Sequence, residues 1–412
     1  MLWLAYHPSL LIKGINSASE VKLAGSLLLV LFIFSPVLIL QRVIQIIFSV
    51  RLEDYYTQRV TLVVSVLRIL SVFFFFGGGR YMLLEYFLCY NALSFISLIY
   101  IIRIARKKYN YDFIKLIKSF RFSKPLYHET SQLAVNTFVL SLSWIFFYEM
   151  DLLYIGFFLG KEEVAFYAVA FTLLRFFRDM YGTFYYPFVV RFNHFIGLNE
   201  AGNLSSMYHT LLKVGISLST IPIVAFVVLM KPLIYSWVGP TYISSVFLAQ
   251  VLVFSSISGF ISYPAGALFT ARVELKKLYL NAVIMPLVFL IGVLATQHQW
   301  GIRSYAIFKT VAIFVSTFIL FIFTLGYLKI TFARFFNIYV KSLILPLLLV
   351  VAAGLFIQYQ LKPEKGLFSL IVTGVCIGVL NIIGFSMYYL RDTFFRKFIK
   401  DTVLRLMNKN AE

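Results

Sequence analysis

Arg42, Arg68, Glu149, Asp151, Arg175, Arg178 and Asp179 all fall inside long apolar runs of this 412-residue chain. Arg175 and Arg178 stand three residues apart, which puts them on one face of a helix, and Asp179 follows directly. An arginine at the centre of a bilayer costs about 2.5–3.5 kcal/mol on insertion scales, so these groups must face a wet cavity, a carboxylate or an anionic ligand. Arginine suits a phosphate because its planar fork offers paired donors. Glu149 and Asp151 supply the internal alternative, a packing ion pair such as Arg175 with Glu149. Spacing alone leaves both readings open. Tyr181, Phe184, Tyr185 and Tyr186 follow on the same segment. Such rings stack on sugars, but they also form interfacial belts and helix contacts, and taken alone the belt is the more ordinary role.

Composition sets the elements that must carry these residues. Hydrophobic residues are 61% and charged residues 13%, with a mean hydropathy of +0.87. Soluble domains run at roughly 45–50% and about 25%. Apolar stretches long enough to cross a bilayer core recur along the chain. They do not alternate apolar with polar residues, which excludes a β-barrel. The expected fold class is therefore an all-α polytopic membrane protein. Eleven spans are predicted, at 23–49, 60–77, 81–102, 131–159, 163–190, 212–236, 243–270, 278–297, 304–327, 337–360 and 367–390.

The net charge is +20, and its distribution gives an orientation. One set of alternate loops, with the C-terminal tail, holds 24 basic residues, including the eight from Arg103 to Lys124. The opposite set, in which Lys309 is counted, holds nine. The positive-inside rule places the richer set and the C-terminus in the cytoplasm, and the N-terminus outside. The basic bias therefore needs no nucleic-acid partner. Cys89 and Cys376 both lie within spans and imply no disulfide framework. The five histidines lack metal-ligand spacing, and Gly77-Gly78-Gly79 is a turn rather than a phosphate cradle. No soluble-enzyme motif is present, so neither catalysis nor a cofactor is expected.

Residues 23–103 and 244–328 repeat one pattern at an offset of 221 positions. Arg51-Leu52-Glu53 falls on Arg272-Val273-Glu274, Ser35 falls on Ser256, and the glycine turn falls next to Gly301. Repeated membrane spans are a mark of secondary transporters, with substrate held between the repeats. Both copies run in the same direction, so they are parallel repeats. The second copy is preceded by three spans and the first by almost none, which predicts about 90 absent residues and an incomplete first lobe. The predicted organisation is a remnant N-terminal lobe at 1–103, an amphipathic cytoplasmic linker at 104–129 and a C-terminal lobe at 130–328. Two added spans at 329–390 and a basic tail at 391–412 complete it. In the linker and the tail, apolar faces such as Phe113 with Phe120 and Phe394 with Phe398 oppose basic ones, as in helices that lie on membrane lipids.

Asp151-Leu152-Leu153-Tyr154-Ile155-Gly156-Phe157-Phe158-Leu159-Gly160, then Val164-Ala165-Phe166-Tyr167, resembles the opening of the second lobe of polysaccharide transporters. Gly239-Pro240-Thr241-Tyr242 and the short Arg272–Lys277 loop fit the same pattern. These are the O-antigen and exopolysaccharide repeat-unit flippases of the multidrug/oligosaccharidyl-lipid/polysaccharide exporter superfamily. The resemblance implies a two-lobe transporter in the cytoplasmic (inner) membrane. It would carry an undecaprenyl-pyrophosphate-linked oligosaccharide between leaflets, for surface polysaccharide such as lipopolysaccharide. Membrane lipids, a polysaccharide polymerase and a chain-length regulator are the partners implied. Two other readings remain at this point, a drug or cation antiporter of the same superfamily and a non-transporting subunit of a polysaccharide assembly complex.

Overall fold

The computed structural model describes residues 2–409 apart from 12, 15, 16, 52, 54, 80, 119–122 and 273. Leu52, Phe120, Arg121 and Val273, which enter the readings above, lie outside the described residues, as does Arg80, one of the nine basic residues of the outer set. Among the described residues there are helices and turns but no strand. This follows from the solvent, because a span in hydrocarbon must satisfy every backbone N–H and C=O within itself.

The long helices are α1 (Ala18–Ser49), α2 (Tyr55–Phe76), α3 (Leu83–Tyr109), α4 (Lys124–Tyr148), α5 (Asp151–Phe158), α6 (Lys161–Gly197) and α7 (Ala201–Val228). They continue with α8 (Met230–Trp237), α9 (Ser244–Ala271), α10 (Leu275–Trp300), α11 (Ile302–Leu328), α12 (Phe332–Gln360), α13 (Leu367–Arg391) and α14 (Thr393–Lys409). Nine of the described helices are long and apolar enough to cross a membrane, and α4 with α5 forms a tenth, bent candidate. The chain is thus an all-α polytopic membrane protein. The remaining predicted span, 163–190, the fifth in order, is the 37-residue α6. It does not reach that apolarity, because Glu162, Glu163, Arg175, Arg178 and Asp179 interrupt it.

The chain divides into two compact units, one of residues 1–135 with 156–161 and one of 136–155 with 162–412. In the first, α1, α2 and α3 close on a cluster that includes Ile44, Phe48, Val64, Leu98 and Ile101. The α1–α2 turn is tied to α3 through Glu53, which accepts from Lys108 Nζ at 2.6 Å and from the Tyr109 hydroxyl. The hydrogen bond from Lys108 holds the Glu53 carboxyl below its ordinary range. Arg51 lies over the Tyr109 ring at 4.5 Å. The helix after this turn ends at Gly77–Gly79, where φ is +64° at Gly78 and +77° at Gly79, a left-handed stretch that favours glycine.

The 221-residue offset reappears in the positions of the helices. Moved by that offset, α1, α2 and α3 fall on α9, α10 and α11 with ends matching to a few residues. The Glu53 amide donates to Phe48 O at 3.0 Å, and the equivalent Glu274 amide donates to Phe269 O at 2.9 Å. Arg272 pairs with Glu274 at 2.6 Å and lies over Tyr327 on α11, as Arg51 lies over Tyr109 on α3.

In the second unit α7 and α9 are the most enclosed helices. Small residues and polar side chains join the surrounding helices to them, as expected where apolar burial gives helices no preference over lipid. Ser245 Oγ on α9 donates to Phe166 O on α6 at 2.8 Å, and Gln250 Nε2 donates to Val227 O on α7 at 3.1 Å. Thr310 Oγ1 on α11 donates to Val251 O at 3.0 Å. Tyr208 on α7 and Thr324 on α11 share a hydrogen bond of 2.8 Å.

Candidate substrate cleft

Glu149, Asp151, Arg178, Asp179 and Lys309 of the second unit gather where α4 breaks. The chain turns by 45° between the helix ending at Tyr148 and the one beginning at Asp151. The break interrupts the regular ladder, with the amides of Glu149 and Met150 both donating to Ile145 O, at 2.9 and 3.1 Å. Lys309 of α11 fills the gap. Its Nζ donates to Phe147 O at 2.8 Å and to Asp151 Oδ2 at 2.6 Å. Tyr167 Oη donates to the same carboxylate oxygen at 2.7 Å, and the Leu152 amide reaches Oδ1 at 3.1 Å. Both charged side chains are 0% exposed. The rings of Phe147, Tyr148, Phe171 and Phe289 stand 4.9–5.7 Å from the ammonium. A charge so far from water is tolerable only because partner, hydrogen bonds and aromatic faces act together.

Arg178 of α6 stands beside the same break, 12% exposed. It reaches Glu149 at 3.5 Å and Asp179 at 3.8 Å, and its guanidinium lies 5.0 Å from the Tyr148 ring and 5.4 Å from Trp144. Its Nη1 is buried and makes no hydrogen bond. Its backbone carbonyl accepts from Tyr263 Oη on α9 at 3.0 Å, which fixes α6 against α9.

Arg178 opens onto a hydroxyl-rich pocket bounded by Tyr181, Ser255, Ser258 and Thr317. Tyr148, Ser262, Tyr263, Met285 and Ser316 are shared with a neighbouring cavity of about 630 Å³ between α4, α6, α9 and α10. That volume lies within the usual range of ligand pockets, roughly 300–1,000 Å³. Trp144, Tyr185, Tyr186 and Asn281 contribute to its wall, and among the described residues none that lines it is charged.

The sequence-predicted residues separate into three groups. Glu149, Asp151, Arg178 and Asp179 come together around the break. Arg175 does not join the cleft as the shared-face reading expected. It is 60% exposed and pairs with Asp179, one turn on, at 3.7 Å, and it is Arg178 rather than Arg175 that meets Glu149. Three residues along a helix still differ by about 60° in direction, enough to put one side chain inside and the other outside. Arg42 and Arg68 belong to the first unit. Arg42 is exposed. Arg68 bonds to Ser94 Oγ at 2.5 Å and Tyr90 O at 3.3 Å on α3 and lies 3.6 Å from the centre of the Tyr90 ring.

Two lysines were misplaced by sequence reasoning. Lys309, counted with the outer loops, is buried within α11, and Lys213, one of the 24 basic residues of the cytoplasmic set, is buried on α7. Lys213 pairs with Asp392 at 2.6 Å and donates to Ile338 O. The signal for Lys309 was its position, several residues inside a long apolar helix whose other charged residue, Arg303, stands at its start. Among the described residues no group of three or more His, Cys, Asp or Glu side chains could hold a metal ion.

No protein-family model matches the sequence, and no curated protein matches it. The structure is similar to a solved one, "Lipid II flippase MurJ, inward closed conformation", with a TM-score of 0.68 and 17% sequence identity. The match covers 94% of this chain and 80% of that chain. At this identity the likeness is one of fold, and the protein is a multi-pass membrane protein with a MurJ-like fold.

Proposed function

We propose that this protein is a flippase that moves a lipid-linked oligosaccharide across the cytoplasmic membrane for surface polysaccharide synthesis. The observation that carries the reading is the cleft beside Arg178, an aromatic chamber set with hydroxyl and amide groups inside a membrane-embedded unit of a MurJ-like fold. A soluble substrate would need only a polar path. An amphiphile needs a polar chamber for its head within a body that leaves its chain in lipid, and a chamber opening between helices serves that need. The repeat of α1–α3 in α9–α11 supports a two-lobe transporter. In it 1–103 would belong to one lobe, 104–129 to a linker and 130–328 to the other lobe. Residues 329–390 and 391–412 would add two spans and a tail. Arg178, Glu149 and Asp179 are the substrate-facing group, with Asp151 behind them. Arg42 and Arg68 of the first unit are kept as candidates for substrate contact, and Arg175, which lies outside the cleft, is not.

A cation antiporter fits less well. Such a carrier needs a carboxylate free to take its cargo, whereas Asp151 is engaged by Lys309, Tyr167 and the Leu152 amide, and Glu149 faces Arg178. Expression in a strain lacking its own repeat-unit flippase, scored by surface polysaccharide, tests the proposal. Restored polysaccharide that is lost in Arg178→Ala, at normal membrane levels of the variant, is the expected result. Drug resistance without restored polysaccharide would replace the flippase reading with the antiporter one.

A further inference from the structure

The chamber beside Arg178 is constructed with more care than a gap between helices requires. Two tyrosines of its aromatic wall are seated by glycines. Tyr185 packs its hydroxyl where a side chain at Gly215 would stand, 2.2 Å from the position of that missing Cβ. Tyr181 lays its ring 2.8 Å from the corresponding position at Gly259. The Tyr185 ring is stacked with Tyr263, centroids 5.6 Å apart and planes 16° apart. Two further glycines, Gly182 on α6 and Gly266 on α9, line the chamber, and a Cβ at either would meet nothing within 4 Å. The chamber is therefore open because small residues face it, and its aromatic wall is fixed from behind.

The chemistry of the wall narrows the ligand. Among the described residues the cavity of about 630 Å³ has no charged lining, and the adjoining pocket has Arg178, which already has Glu149 and Asp179 within 4 Å. A pyrophosphate needs uncompensated positive charge, which is not offered here. A hydrocarbon chain has no use for Ser262, Ser316, Thr270 or the buried, unpartnered Asn281 Oδ1 and Arg178 Nη1. A neutral sugar uses all of these features. Its C–H face lies on an aromatic ring, and its hydroxyls both donate and accept.

We propose that this chamber is a carbohydrate subsite, which holds a neutral pyranose of the transported head group against Trp144, Tyr185 and Tyr263, with Arg178 and Asn281 bonding its hydroxyls. The proposal rests on the flippase reading for its substrate and adds which part of that substrate lodges here.

The test uses the 412-residue chain in lipid nanodiscs with Trp3, Trp237 and Trp300 changed to phenylalanine, leaving Trp144 as its one tryptophan. Its fluorescence is titrated with three probes, namely a neutral disaccharide, inorganic pyrophosphate and farnesol. The disaccharide should give a saturable change, weakened about tenfold or more by Gly266→Leu, which fills the chamber without a backbone clash. Gly182→Leu, on the facing helix, should act alike and guards against a local folding defect in the first variant. Pyrophosphate and farnesol should produce no change that Gly266→Leu removes. A saturable, Gly266→Leu-sensitive response to either of these, or none to the disaccharide, overturns the subsite. The flippase reading stands or falls separately on complementation of the flippase-deficient strain. Disaccharide binding without complementation sinks that reading and leaves the subsite, and complementation without disaccharide binding does the reverse.

Discussion

Replacing Lys309 by methionine removes the ammonium from a place where nothing else can neutralise Asp151. The two side chains are fully buried and 2.6 Å apart, and Lys309 alone also serves Phe147 O. Removing one partner of a buried pair costs about 3–5 kcal/mol, because the other charge is left without compensation. The orphaned Phe147 carbonyl adds about 1–3 kcal/mol. Asp151→Asn strands the ammonium among aromatic rings and is expected to cost about 3–5 kcal/mol as well. The double variant carries neither charge. It still lacks a donor for Phe147 O, so it should be less stable than wild type, yet recover about 3 kcal/mol or more relative to the sum of the singles. Against a total stability of about 5–15 kcal/mol, single substitutions of that size shift an unfolding midpoint clearly. The assay is unfolding of the purified protein in detergent by added dodecyl sulfate, followed by tryptophan fluorescence, for all four members of the cycle. Additivity within about 0.5 kcal/mol would refute the reasoning, since independent sites add in that way.

Three further outcomes are expected. Arg178→Ala should abolish transport with near-normal protein in the membrane, whereas Arg175→Ala, an exposed residue paired only along its own helix, should keep most activity. If the two behave alike, the separation drawn here is wrong. With Cys89 and Cys376 replaced, single cysteines at 118 and 397 should resist an impermeant reagent in intact cells, while those at 161 and 365 should react, as the basic asymmetry requires. Labelling at 118 would invert the topology. Asp392 links the tail helix α14 to α7. Burial pushes its carboxyl up, but hydrogen bonds from Lys213, the Phe395 amide and Ser342 outweigh this and hold it below its ordinary value of 3.8. A depressed carboxylate stabilises the fold fully above its unfolded pKa, and that contribution is lost as pH falls through the folded value. The tail should therefore resist protease at neutral pH and become susceptible only below about pH 4. Asp392→Asn should be susceptible at neutral pH, and equal resistance in both would show that the link does not hold the tail.

Much of the protein was legible in its sequence because the membrane enforces a simple rule. Apolar runs of spanning length must be helices, so the spans and the all-α class follow from composition, and the 221-residue repeat shows as matched turns at Arg51–Glu53 and Arg272–Glu274. The interior charges stood out because they are rare in such runs. What the sequence left undecided is which charge meets which. Arg175 and Arg178 differ by less than one helical turn, and only the packing of α6 against α9 turns Arg178 inward to Glu149 and leaves Arg175 outside. Lys309 looks in sequence like a residue near the end of a span. It becomes the partner of Asp151, 158 positions away, only when α11 packs beside the break between α4 and α5. The chamber is likewise a property of packing. Gly215 and Gly259 are ordinary small residues until Tyr185 and Tyr181 are laid against them, since the space a missing side chain leaves has meaning only once a second helix enters it.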